Sequence, residues 1–309
     1  MEVFGQHMAQ KELGSLLGDP SQIASIRQLR FDSGPEAGQR LIQIRNAVGL
    51  CVDLLPDRCL DIGQVWMGGV PFAWMGSGGL PSAATGATLA TALGGLMATC
   101  GFDHIRQSEE HDGITYPLHG SMALHPALLV RVGQEGPQAG GDFVVEAGMT
   151  RVGANAAQYR LVRKLRISYD RPTIVLEDRV ETVPGAPIMA MYHFNLGYPL
   201  MGSSTRIEGQ GAAFWPETAS ATRCFPSPPA PANIRIINER ARRRMALGLR
   251  YETETLPYLQ THRRAEPGNL FCLEPASHDR LPRGDALGAL AEQHGHRVFR
   301  LALEFDSTF

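Results

Sequence analysis

Three short stretches of the chain carry side chains able to trade protons near neutral pH. In Met191-Tyr192-His193-Phe194-Asn195-Leu196-Gly197-Tyr198-Pro199-Leu200, an extended strand over 189–196 would send alternate side chains to opposite faces. His193 and Asn195 would then share a face with Met189 and Met191, an imidazole and an amide on an otherwise apolar surface. Such a face is either the floor of a polar site or the seat of a buried histidine satisfied by a backbone carbonyl. In Asn269-Leu270-Phe271-Cys272-Leu273-Glu274-Pro275, Glu274 shares a face with Leu270 and Cys272. Loss of water there would raise its pKa toward the range useful to a general base, whereas a solvated strand end would leave an ordinary surface carboxylate. The third stretch, Tyr116-Pro117-Leu118-His119-Gly120, holds a histidine between turn formers, the usual setting of a loop histidine. Other signatures are missing: no GxGxxG before a helix, no GxxxxGK[ST], no HExxH and no GxSxG occurs, so nucleotide binding, zinc proteolysis and the common serine-hydrolase layout have no support.

The elements that must position these groups repeat with period two. From Tyr159 to Ile167 the odd positions are largely apolar and the even ones largely basic, the pattern of a half-buried strand. After the turn signal Asp170-Arg171-Pro172, residues Ile174, Leu176 and Val180 mark one face while Glu177, Arg179 and Glu181 mark the other, which predicts a hairpin. Ser25 to Phe31 and Arg40 to Arg45 flank the turn-rich 32–38 segment as a second hairpin, and Phe299, Leu301, Leu303 and Phe305 alternate with polar neighbours at the C-terminal end. No alternating helices intervene. The class is all-β, a large antiparallel sandwich or barrel read as one domain over 1–309. The one predicted helix is Thr88 to Ala98, by the spacing of its apolar residues. The Pro-rich run Cys224 to Pro231 is too short for a domain boundary and reads as a surface loop.

Composition narrows the partners. The chain has 309 residues, with 29 basic against 31 acidic, so no global field draws it to nucleic acid or an anionic membrane. The cluster Arg240, Arg242, Arg243 and Arg244 lacks interleaved aromatics and reads as a solvated edge. Five scattered cysteines with no CxxC pair argue against a disulfide framework or a thiolate zinc site, and with an N-terminus unlike a signal peptide they place the protein in the cytoplasm. No charged residue occurs in the 41 positions between Asp61 and Asp103, but ten glycines and two prolines there exclude a spanning helix. The pairs His104/His111 and His294/His296 fit no common zinc spacing. A small-molecule partner is expected, with no cofactor and no obligatory metal.

Together the three stretches resemble motifs of the aldose 1-epimerase (galactose mutarotase-like) superfamily, and most closely an aldose-1-epimerase-related branch of it. Leu118-His119-Gly120 resembles the family's LHG, His193-Phe194-Asn195-Leu196 its second histidine motif, and Leu273-Glu274-Pro275 the strand bearing its catalytic glutamate. Pro56-Asp57-Arg58-Cys59-Leu60-Asp61-Ile62-Gly63 and Gly94-Gly95-Leu96-Met97-Ala98-Thr99-Cys100-Gly101-Phe102 are further signatures of that branch, and the likeness runs from about residue 25 to the C-terminal end. The resemblance implies a β-sandwich whose concave face holds a carbohydrate and whose chemistry is ring opening. Glu274 would be the base, His193 the acid, and His119 a hydrogen-bond donor to the ring oxygen or a neighbouring hydroxyl. The sugar-binding arginine would be Arg58 or Arg106 and the aspartate Asp61 or Asp103, with His104, Asn195 and His262 completing the set. A different sugar isomerase, epimerase or lyase, or a carbohydrate-binding protein without turnover, would use the same pocket.

Overall fold

The computed structural model describes residues 2–308 apart from 4–5, 83, 85, 136–140, 210–211, 215–219, 241–242, 265–268 and 291–294. Arg242 and His294 therefore lie outside the described residues. Two large antiparallel sheets dominate. One runs Ala221–Pro226, Tyr258–Arg264, Leu270–Ala276, Met189–Leu196, Met97–Phe102, Asp61–Met67, Leu50–Leu55, Arg40–Arg45, Ser25–Arg30. The other runs Leu128–Gln134, Phe143–Val152, Gln158–Ile167, Thr173–Thr182, His296–Thr308, Arg243–Tyr251, Ala232–Arg240, Thr205–Gly209, Ala212–Phe214. Both hairpins read from the sequence form, with Leu161 opposite Val180 and Ile26 opposite Ile44. Among the described residues no helix is long and apolar enough to cross a membrane.

Alternation explains how the sheets meet. Inward side chains such as Phe194 and Leu273 of the first sheet and Leu161, Leu176, Phe299 and Leu301 of the second fill one continuous core. The opposite face of the first sheet is covered too: Ala98, Cys100, Met189, Met191 and Ala276 pack beneath Leu89, Ile105, Leu124 and Ala286 from connecting segments and from the short helix Arg283–Ala289. The Met189–Leu196 strand is thus buried along its whole length.

Three charges interrupt the inner faces. Arg163, fully buried, donates from Nε and Nη2 to the two carboxylate oxygens of Asp178 at 2.8 and 2.6 Å, and from Nη1 to Asp61 at 3.1 Å and the Cys59 carbonyl at 2.9 Å. Tyr192 donates to Asp178 at 2.7 Å, and Asp61 accepts from the Thr99 amide and hydroxyl. The network crosses from one sheet to the other. Asp61, expected at the sugar pocket, is instead turned into the sandwich, where its ion-pair partner is Arg163.

The predicted helix at Thr88–Ala98 does not form. A single turn at 88–92 gives way to an irregular segment and then to the Met97–Phe102 strand. The carbonyls that a helix would use are taken by side chains: Arg58 donates to Ala92 O, and Asn195 donates to Leu93 O and Gly95 O. Gly95 has φ +108°, which a helix excludes. The Pro-rich stretch begins as the end of the edge strand Ala221–Pro226 and continues as a loop that bends at 229–231.

Because Arg163 offsets two buried carboxylates, Arg163→Met removes the counter-charge and leaves them desolvated. We expect a loss of about 3–5 kcal/mol in unfolding free energy, measured by urea titration.

Candidate active site

The outward face of three adjacent strands and one loop brings together residues of the set His119, His193 and Glu274, separated by up to 155 positions in the chain. His193 and Asn195 lie on the same side of one strand, and Cys272 and Glu274 on the same side of its neighbour. His262 and Gln260 come from the next strand, in register with Cys272 and Glu274 respectively.

Asn195 sets the chemistry of His193. Its amide nitrogen donates to Leu93 O at 2.7 Å and Gly95 O at 3.2 Å, so Oδ1 is the acceptor that faces His193 Nδ1 at 2.7 Å. Nδ1 must carry a hydrogen, which leaves Nε2 as the exchanging nitrogen. Nε2 stands 3.4 Å from Glu274 Oε1, close enough for charge to act but too long for a good hydrogen bond. Both side chains are almost wholly buried, at 3% and 1% exposure. Glu274 Oε2 accepts from Gln260 Nε2 at 2.5 Å, and Oε1 has no hydrogen-bond partner. Gln260 is oriented in turn by Arg106, whose Nε donates to its Oε1 at 2.8 Å while Nη2 and Nη1 hold the carbonyls of His278 and Asp279.

His119 reaches the pair from a loop. Its ring meets that of His193 edge-on, centroids 5.2 Å apart. The loop is fixed by main-chain bonds, Gly101 N to His119 O and His119 N to Arg106 O. It also requires glycine next: Gly120 has φ +84°, and a Cβ there would stand 2.2 Å from His104 O. Burial pushes the His119 pKa well below the usual histidine value, and the neighbouring His193 adds to the effect. Its Nδ1 is buried without a partner. His262 is lowered too, chiefly by burial, and shares a 2.8 Å hydrogen bond with Thr222. Burial raises the Cys272 thiol well above its ordinary pKa, with the Glu274 charge adding to it; the thiol points to Asn195 Oδ1 at 3.6 Å.

The sequence-predicted residues divide accordingly. His119, His193, Asn195 and Glu274 converge, His262 lines the same face, and Arg106 joins through Gln260. His104 belongs to an adjacent cavity of about 290 Å³ with Arg283 and His278, its Nε2 2.6 Å from Gln107 O. Arg58 is fully buried under the 88–95 segment, and none of its described hydrogen bonds is to His119, His193 or Glu274. Asp103 is spent on the Ser121 amide and hydroxyl and the Ala154 amide. Gln260 and Cys272 were missed; each has the parity of a named neighbour, His262 or Glu274, and that shared parity was the available signal.

Burial and the nearby charges of Arg106, His104 and Arg283 push the His278 pKa down to about 3. The unfolded chain takes a proton near pH 6.5 that the folded chain refuses, so stability falls as pH drops from about 6.5 toward 3. His104, His119 and His262 act in the same direction. The urea midpoint should decline between pH 7 and pH 5, with a shallower slope in His278→Gln.

Comparison with known proteins bears on the fold and the family. No curated protein sequence matches the chain. Among solved structures it is similar to a candidate aldose 1-epimerase from Klebsiella pneumoniae, with 17% identity, a TM-score of 0.71 and coverage of 91% of this chain and 83% of that one. It is also similar to a galactose mutarotase-like protein from Clostridium acetobutylicum, with 11% identity, a TM-score of 0.60 and coverage of 93% and 99%. A galactose 1-epimerase from Lactobacillus acidophilus aligns at 10% identity and a TM-score of 0.57, over 93% and 100%. At these identities the likeness establishes the fold, a galactose mutarotase-like β-sandwich. A family model described as "Domain of unknown function (DUF4432)" matches residues 36–231, and the chain belongs to that family.

Proposed function

We propose that the protein interconverts the anomers of an aldose or aldose derivative by acid–base ring opening. The observation that carries this reading is the facing pair His193 Nε2 and Glu274 Oε1, each with its other polar atom already committed, to Asn195 and to Gln260. The anomeric hydroxyl and the ring oxygen are borne on one carbon, so the groups that exchange protons with them must be close neighbours, as these two are. Glu274 takes the proton of the C1 hydroxyl while His193, protonated at Nε2, gives its proton to the ring oxygen. The C1–ring oxygen bond breaks and a carbonyl forms at C1. After rotation about C1–C2 the freed hydroxyl adds to the other face, returning its proton to His193 as the carbonyl oxygen regains one from Glu274. His119, kept neutral by burial, hydrogen-bonds the ring oxygen or a neighbouring hydroxyl. The epimerase names attached to the similar folds support the same class. Proton transfer of this kind needs no cofactor.

Glu274→Gln and His193→Asn should each slow anomer exchange by about 10²-fold or more, followed by NMR exchange spectroscopy on several aldoses. Both variants should remain folded and bind sugar, since each replacement is nearly isosteric. Full activity in folded Glu274→Gln would end the acid–base assignment. A wild type inactive on every free aldose would point instead to another sugar isomerase, epimerase or lyase reaction in the same pocket.

A further inference from the structure

We propose that His193 Nε2, Cys272 Sγ and Glu274 Oε1 form a binding site for a zinc-class divalent cation. The three residues are buried, and each offers one donor atom, an imidazole nitrogen, Sγ and a carboxylate oxygen, that lies within 4.8 Å of the other two. Two ligand atoms bound tetrahedrally at about 2.0–2.1 Å from zinc sit roughly 3.4 Å apart, and the His193–Glu274 separation is 3.4 Å.

The surroundings make the same case independently. A histidine that ligates a metal characteristically donates its other ring N–H to an oxygen, and a ligating carboxylate is itself hydrogen-bonded. Here Nδ1 donates to Asn195 and the second oxygen of Glu274 accepts from Gln260. The remaining oxygen, Oε1, is buried and has no hydrogen-bond partner.

Charge and softness select the ion. A thiolate and a carboxylate neutralise a divalent cation, so the loaded site carries no net charge into a region that would penalise one. Sulfur and imidazole ligands favour zinc and its borderline neighbours over magnesium or calcium. Binding is an exchange without oxidation or reduction: the Cys272 thiol loses its proton to solvent as the metal–sulfur bond forms. Among the described residues no fourth His, Cys, Asp or Glu joins the group, which leaves an open position of the kind a water or hydroxyl fills. Metal binding does not require the proposed reaction, but its consequence rests on that reading: the cation takes the two atoms that exchange protons, so metal occupancy and anomer exchange exclude each other.

The test uses the full chain, free of affinity tag and stripped with chelator, titrated with Co²⁺. One equivalent should bind, with a thiolate-to-cobalt charge-transfer band in the near ultraviolet. Cys272→Ser, checked by circular dichroism, should lose that band and bind at least about 10-fold more weakly. Glu274→Gln should bind more weakly but keep the band. No stoichiometric binding, or an unchanged spectrum in folded Cys272→Ser, overturns the site and leaves the epimerase reading intact. Zn²⁺ should abolish anomer exchange by the wild type, reversibly with chelator. Undiminished exchange by zinc-loaded protein overturns the exclusion, whereas absence of exchange in the metal-free protein counts against the epimerase reading alone.

Discussion

A charged guanidinium fully buried between two sheets needs compensation on every side, and Arg163 obtains it from both layers at once. The bidentate bond to Asp178 lies within its own sheet, while the bonds to Asp61 and the Cys59 carbonyl reach the other. Burial opposes the charge, yet Asp178 and Asp61 hold the guanidinium well above its ordinary pKa. A hydrophobic contact tolerates sliding by a fraction of a side chain, but a bidentate ion pair does not. The pair to Asp178 holds the guanidinium rigid within its own sheet, and the directional bonds that cross, Arg163 to Asp61 and the Cys59 carbonyl and Tyr192 to Asp178, then fix the lateral register of one sheet over the other.

That register reaches the candidate site through one strand. Tyr192 donates into the network on the inner face, and in a pleated strand its neighbour His193 must then point outward. Asn195, two residues on, emerges on the same side and holds the imidazole by Nδ1. A buried ionic network, a strand parity and one amide thus decide which nitrogen of His193 faces Glu274.

Most of the fold was legible because period-two alternation reports a two-layer β structure directly. His119, His193 and Glu274 were legible as a set through motif order, although their convergence depends on strand neighbours that no local pattern specifies. Arg163 and Asp178 break the apolar parity of their strands at directly paired positions, so the inter-sheet network had a sequence signal, a basic and an acidic residue each on a core-facing position. Asp61 misled because a motif aspartate near a tight turn looks the same whether it faces a ligand or an arginine. The Thr88–Ala98 segment misled for another reason: its apolar spacing is helical, but distant side chains compete for its carbonyls. The His193, Cys272 and Glu274 donors come from two strands, so a search by spacing along the chain passes over them.

The 88–95 segment holds the Asn195 amide through main-chain oxygens, those of Leu93 and Gly95, while its Ala92 carbonyl is anchored by Arg58. Carbonyls are common to every residue type, so the protonation geometry of His193 is insulated from most changes of side chain along this segment. Its length is another matter. One residue added or removed shifts both carbonyls out of phase with the Asn195 amide, so the segment acts as a ruler whose graduations matter more than its lettering.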